Sequence, residues 1–279
     1  LLTSLKTLRD QLRKTIFGQE HAIRDFVEGL FNAELTAEAD TGRHAPRGVF
    51  VFAGPPGVGK TFLAQSGAQA LGKPFRRFDM SGYSDHQSGS VLMGMQKSYK
   101  GASPGLLTGF VAQNPQAILL FDEIEKAHLN ILHLFLQILD AGTLEDRYHE
   151  TQVSFRDTVI IFTTNAGKAL YDATDVGTRS LGGARFHRRT LLGALEQEQD
   201  PRTGKPVFPQ AICSRMATGT PILFNHLGVN DLVRLVQNRL EHQGSLLEET
   251  FGKKISFGED TALCLVMQEG LGADARTLS

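Results

Sequence analysis

The chain has 279 residues, 41% of them hydrophobic and 21% charged, and its 29 Lys and Arg nearly balance 30 Asp and Glu. That balance leaves no net field to draw nucleic acid or a membrane surface, and the two distant cysteines, Cys213 and Cys264, give no basis for a disulfide framework or a zinc site. The length suits one large domain with a smaller one; the longest apolar runs, such as Val159-Ile160-Ile161-Phe162, are strand-sized rather than membrane-spanning, and a reducing, cytoplasmic setting is expected.

In chain order, Leu5, Leu8, Leu12 and Ile16 recur at helical spacing and predict an amphipathic helix ending near Phe17-Gly18. A second helix is expected from Glu20 to about Glu38, then a polar loop from Asp40 to Pro46. Gly48 to Ala53 reads as a buried strand, and a helix is expected from Thr61 to Leu71. Between them stands Gly54-Pro55-Pro56-Gly57-Val58-Gly59-Lys60-Thr61, which fits the phosphate-loop pattern G-x-x-x-x-G-K-[ST] in the strand–loop–helix setting that pattern requires. Glycines there let backbone N–H groups wrap phosphate oxygens at a helix N-terminus. Lys60 is then expected on the β- and γ-phosphates and the Thr61 hydroxyl on magnesium, the competing reading being an ordinary glycine-rich turn.

Pro74 introduces a short strand, Phe75 to Phe78, ending at Asp79, and a glycine- and serine-rich stretch follows from Ser81 to Pro104. A helix from Gly105 to Asn114 leads into Ala117 to Phe121, a continuous apolar strand covered on both faces. It delivers Asp122 and Glu123 at its C-terminal edge, where open α/β sheets bind ligands. Asp122 is expected to hold Mg²⁺ through its water shell and Glu123 to polarise the attacking water; the alternative is an acidic pair opening the next helix. That helix carries Leu129, Leu132, Phe135, Leu136 and Leu139 and closes at Gly142. Residues 143 to 155 suggest a hairpin, and Thr158 to Thr163 is another buried strand, bringing Asn165 to its end. There the Asn165 amide fits equally a contact to the γ-phosphate or water and a cap on the Thr-Asn-Ala-Gly turn. Residues 166 to 208 read as polar loop with one helical patch, Leu191 to Gln197, and a solvated basic loop at 184–189. A last strand spans Pro221 to Phe224; helices at 228–251 and 259–269 flank an expected strand from Lys254 to Phe257. The alternation of strands and helices predicts a parallel α/β sheet. His128, His133 and His149 lack ligand spacing.

Taken together, Ile16-Phe17-Gly18-Gln19-Glu20, the phosphate loop, Phe78-Asp79-Met80-Ser81, the run from Leu120 to His128 (LFDEIEKAH) and Phe155-Arg156-Asp157-Thr158 resemble the AAA+ ATPase module of the Clp unfoldases and disaggregases, specifically their second, C-terminal ring. The resemblance implies a P-loop AAA+ parallel sheet sandwiched by helices over residues 1–224, then a smaller, truncated helical lid over 225–279. It implies ATP or ADP with Mg²⁺, held by Gly54, Pro55, Pro56, Gly57, Val58, Gly59, Lys60, Thr61 and Phe62, with Ile16 and Phe17 in the adenine pocket. Asn165 becomes a sensor of the γ-phosphate, Arg215 an arginine finger reaching the neighbour's ATP, and Arg276 a second sensor on the lid. Tyr99, with Lys100, becomes the pore-loop grip on a polypeptide.

Three segments depart from the family pattern. The pore segment reads Ser98-Tyr99-Lys100-Gly101 rather than Gly-Tyr-Val-Gly, the finger segment Cys213-Ser214-Arg215-Met216 lacks Asn-Arg-Ile-Asp, and Arg276 follows an Asp-Ala insertion. A surface tyrosine and a surface arginine are the alternatives for Tyr99 and Arg215. Between Lys168 and Pro206 the nearest match to a peptidase-docking tripeptide is Ser180-Leu181-Gly182, which gives a proteolytic partner little support. The expected function is an ATP-driven unfoldase or disaggregase motor working as a hexameric ring of identical chains. The alternatives are an AAA+ ATPase that remodels one dedicated complex and, more distantly, one acting on nucleic acid. A start at Leu1 rather than Met, and an end just past Arg276, suggest a fragment of a longer protein.

Overall fold

The computed structural model describes residues 2–168, 183–199, 204, 206–252, 256–258 and 260–269. Two helices open it, α1 (Leu2–Thr15) and α2 (Glu20–Ala39), followed by β1 (Gly48–Ala53), α3 (Lys60–Ala70) and β2 (Phe75–Asp79). Then come α4 (Ser88–Met93), α5 (Leu106–Gln113), β3 (Ile118–Asp122) and α6 (Leu129–Ala141). The hairpin strands β4 (Thr143–Asp146) and β5 (Thr151–Ser154) lead to β6 (Val159–Thr164). The rest is α7 (Gly183–Gln197), α8 (Gln210–Met216), β7 (Thr220–Leu223), α9 (Val229–Phe251) and α10 (Thr261–Glu269).

Five strands form one parallel sheet in the order β2-β3-β6-β1-β7. Strands with both faces covered must be apolar throughout, which is why β3 and β6 are buried at every residue. Alternation sends their side chains to two separate cores. On one face Phe26 of α2 meets Phe50 and Phe52 edge-on, with ring centroids 5.1 and 5.6 Å away, and α1 and α3 complete that layer. On the other, Phe121 packs against Phe135 of α6 at 4.5 Å and stacks on Phe78 and Phe162. Such aromatic contacts add about 0.5–1.5 kcal/mol each beyond the area they bury.

Within the glycine- and serine-rich stretch from Ser81 to Pro104, α4 forms because Leu92 and Met93 reach the core beneath the sheet. The α/β expectation holds, with two local differences. Residues 184–189 extend the helical patch into α7 rather than forming a loop, since no Pro or Gly breaks the run from Ala184 to Leu192. Ser256 and Phe257 are not in a strand, and the remainder of the expected strand at 254–255 lies outside the described residues. So do Ser180-Leu181-Gly182 and Arg276.

Helices α9 and α10 make a third, small core from Leu232, Val236, Ala262 and Val266. Contacts among the described residues tie it to the sheet layer. Leu227 packs against both cores, and the buried Gln19 amide donates to the Asn225 carbonyl at 2.7 Å while its oxygen accepts the Asn225 N–H at 3.2 Å. The Arg234 guanidinium lies 4.7 Å from the centroid of Phe17, a cation–π contact. No helix among the described residues is long and apolar enough to cross a membrane.

Candidate active site

The strand order brings together what lies far apart in the chain. β1, β3 and β6 end side by side, so the loop after β1, the acidic pair after β3 and Asn165 after β6 share one edge of the sheet. In the loop, Gly57 (φ 72°) and Gly59 (φ 100°) occupy the left-handed region that L side chains avoid, and a Cβ on Gly59 would meet nothing within 4 Å. The loop thus leaves an open cradle in front of the first N–H groups of α3, which lack helical acceptors. The Lys60 side chain is buried. Its ammonium donates to the Gly54 and Pro55 carbonyls, both at 2.7 Å, and to Asn165 Oδ1 at 2.9 Å.

The acidic side is built around Asp122, which is 3% exposed. Its Oδ2 accepts from the Thr61 hydroxyl at 3.0 Å and pairs with Arg77 at 2.8 Å, while Oδ1 accepts from the Thr163 hydroxyl. Thr163 in turn accepts the Glu123 N–H at 3.0 Å, so one hydroxyl fixes both acidic residues. Glu123 itself takes φ 57° and ψ 53°, a left-handed conformation that costs a non-glycine residue about 1–3 kcal/mol. The strain turns its side chain away from that of Asp122 and toward Asn165, whose Nδ2 donates to Glu123 Oε1 at 3.3 Å. Lys126 donates to the other oxygen at 2.5 Å, and this hydrogen bond holds the Lys126 amine above its usual range.

Behind this pair, Glu125 Oε1 accepts the Asn165 N–H at 3.1 Å, and its Oε2 is buried with no hydrogen-bond partner. Burial pushes the Glu125 carboxyl up from its ordinary value.

These groups open onto a cavity of about 430 Å³, walled by Ile16, Phe17, the phosphate loop and α9. Gly57, Val58, Gly59, Lys60, Thr61, Phe62, Asp122, Glu123 and Asn165 line it. Gly54, Pro55 and Pro56, also expected at the nucleotide, are not in the lining; the Gly54 and Pro55 carbonyls instead accept from Lys60. The sequence reading missed the far wall, where Leu227, Leu235, Asn238, Arg239 and His242 face the same space; nothing in the spacing of α9 says which part of the chain it will cover. It also missed Thr163, Arg77 and Glu125, whose roles depend on strand neighbours.

Arg215, Tyr99 and Lys100 are not in the cavity lining. Arg215 sits exposed at the end of α8, paired with Asp140 of α6. Tyr99 is 61% exposed at the tip of a loop whose base is pinned by a Gly94–Pro104 bridge and by the Met95 N–H on Ser103 O at 3.1 Å. Lys97 leans from that loop onto the Tyr148 ring of the hairpin, 5.1 Å from its centroid.

The donor set suits a nucleoside triphosphate and a hard divalent cation. The loop amides and Lys60 match phosphate oxygens. Thr61 and Asp122 place two oxygens in contact, which would hold a magnesium ion together with the nucleotide. No group of three His, Cys, Asp or Glu among the described residues could hold a metal without such help.

A parallel sheet with this loop, helix and acidic pair at one edge defines a P-loop nucleotide-binding domain. A family model described as the AAA domain (Cdc48 subfamily) matches residues 45–199, more than half of the chain, and the chain belongs to that family of ATPase domains. Among similar proteins, the ATP-dependent Clp protease ATP-binding subunit ClpE of Lactococcus lactis is 41% identical over 198 residues, covering 69% of this chain and 25% of the relative. Chaperone protein ClpB of Mycoplasmoides gallisepticum is 41% identical over 167 residues, covering 58% and 23%. The ClpA homolog protein of Fuscovulum blasticum is 38% identical over 186 residues, covering 66% and 22%. The chain therefore spans about a quarter of the length of these relatives.

Proposed function

We propose that the chain is the motor module of an ATP-driven unfoldase or disaggregase, acting in a cytoplasmic ring of identical copies that draws polypeptide through a central pore. The observation that carries this reading is one cavity lined by Lys60, Thr61, Asp122, Glu123 and Asn165 together, with Tyr99 exposed on a pinned loop elsewhere. In this reading residues 1–224 are the α/β domain and 225–279 the lid, with Ile16 and Phe17 against adenine and Arg276 as the second sensor.

The Lys60 ammonium, which donates to Gly54 O, Pro55 O and Asn165 Oδ1 in the nucleotide-free protein, would turn to the β- and γ-phosphates of a bound nucleotide. Thr61 and Asp122 would hold Mg²⁺, which when bound spreads positive charge over the phosphate oxygens. Glu123 takes a proton from the water as that water's oxygen adds to the γ-phosphorus and the bond to the β-phosphate oxygen breaks. Asn165 holds the Glu123 carboxylate in line and presents its amide to the γ-phosphate. Arg215 is supplied in trans from a neighbouring copy. Lys100 makes the grip at Tyr99 more cationic.

Two substitutions test the reading against a model substrate protein. Glu123→Gln removes the base and is expected to slow ATP turnover by about 10²–10⁴-fold. Tyr99→Ala is expected to abolish unfolding while turnover continues. Unfolding that survives without the aromatic would reject threading and leave the ATPase reading standing.

A further inference from the structure

The Arg77–Asp122 ion pair has no place in the hydrolytic scheme above, yet it sits on the carboxylate that scheme assigns to the metal. β2 and β3 are parallel neighbours in a register that sets Asp79 beside Asp122. Two carboxylates side by side on adjacent strands repel, and one of them is buried. A strand has a period of two, so Arg77 and Asp79 project from the same face of β2, and the Arg77 guanidinium falls between the acids. Its Nη2 lies 2.8 Å from Asp122 Oδ2 and 3.4 Å from Asp79 Oδ2. The two acids are unequal. The Asp122 side chain is 4% exposed and that of Asp79 49%, while Arg77, at 47%, reaches inward from solvent. Asp79 is itself stabilised as an anion, by the Ser81 hydroxyl first and with Arg77 and Lys126 contributing, so it is a ready acceptor.

We propose that Arg77 is the resident counter-ion of Asp122, that it competes with the divalent cation of the nucleotide site, and that Asp79 is the seat it moves to when the cation binds. The proposal rests on the reading of Asp122 as the residue that holds Mg²⁺. Its physical basis is charge balance. A buried carboxylate without a cation is costly, so in the metal-free protein Arg77 compensates Asp122. A divalent cation arriving on the same side would repel the guanidinium. Because one nitrogen already lies within reach of both acids, a change of side-chain rotamer completes the transfer. The apparent cation affinity of the site is then the intrinsic affinity reduced by the cost of displacing Arg77.

The test follows binding of a fluorescent ADP analogue by the 279-residue chain while Mg²⁺ is titrated from EDTA, with melting measured in parallel. The quantity read is the Mg²⁺ concentration at half effect. Arg77→Gln is expected to lower it by about tenfold, the scale of one screened charge contact. Asp79→Asn, which removes the alternative seat, is expected to raise it several-fold. Arg77→Lys keeps the charge without the fork and should fall between Arg77→Gln and the unsubstituted chain. Without metal or nucleotide, Arg77→Gln should also melt lower, and that gap should close with Mg²⁺ and ADP, whereas a purely structural role would leave it open. Equal half-effect concentrations in all three variants, or Arg77→Gln and Asp79→Asn moving in the same direction, would overturn the proposal. Asp122→Asn separates the two readings. If it leaves the Mg²⁺ dependence intact, the assignment of Asp122 to the metal fails, whatever Arg77 does.

Discussion

Glu125 lies two residues past the acidic pair and supports it from below. Its Oε1 receives the Asn165 N–H, which fixes the backbone from which the Asn165 side chain reaches both Lys60 and Glu123. The cost of that position is burial, which raises its carboxyl above the ordinary 4.5, with the neighbouring Glu123 charge adding in the same direction. Between 4.5 and the raised native value the folded chain binds more protons than the unfolded one, so stability falls as pH rises through that window and stays lower above it. Glu125→Gln keeps the shape and an acceptor for the Asn165 N–H but has no charge to desolvate. It is expected to melt higher than the unsubstituted chain at pH 7, with the two converging as the buffer is taken below pH 4.5. Thermal melts across that pH range check this, and a gap that is the same at every pH would contradict it.

The junction between α6 and the hairpin packs against the loop that enters β1, at the N-terminal edge of the sheet. Gly142 ends α6 at φ 63°, returns its N–H to Ile138 O at 3.0 Å, and offers its carbonyl to the Phe155 N–H at 2.7 Å. A Cβ there would lie 1.6 Å from the His44 carbonyl oxygen, which belongs to the loop entering β1. Both the conformation and the space therefore demand glycine. Gly142→Ala is expected to cost at least about 2 kcal/mol, because a left-handed residue and a backbone clash are imposed together. The urea midpoint of unfolding measures it, and a midpoint that does not move would mean that the loop entering β1 yields freely.

For the molecule as a whole, the proposed role of Arg215 is to reach the nucleotide of a neighbouring copy. Arg215 stands exposed on α8, bound to Asp140, and its side chain is nearly half accessible. A solvent-exposed pair of this kind is worth about 0.2–1 kcal/mol, so Arg215 can be given up to a neighbour's phosphate at little cost. If it acts in trans, Arg215→Ala should lower turnover by about 10³–10⁵-fold, the range found for arginine fingers. Mixing Arg215→Ala with Glu123→Gln chains should restore part of that loss, since a mixed interface pairs an intact Glu123 with an intact Arg215. ATP turnover of the mixture against each variant alone gives the answer. No recovery on mixing would place the arginine in its own subunit's site or outside the chemistry.

The contiguous parts were legible along the chain. The strand, loop and helix around Lys60, the apolar strand ending in Asp122-Glu123 and the amphipathic faces of α1 and α6 depend on residues a few positions apart, and local preferences and burial periods fix them. Which of these ends meet is a property of the fold. Lys60 and Asn165 are 105 residues apart, and Thr163 and Glu123 are 40 apart. Their contact follows from β6 inserting between β3 and β1, an order that parallel crossovers allow but no local pattern spells out. The same holds for the left-handed backbone of Glu123, for Arg77 reaching diagonally to the next strand, and for the α9 residues that close the cavity. Each depends on a neighbour brought up by another segment, and the free energy that selects that neighbour is spread over two buried faces of the sheet rather than written at any one position.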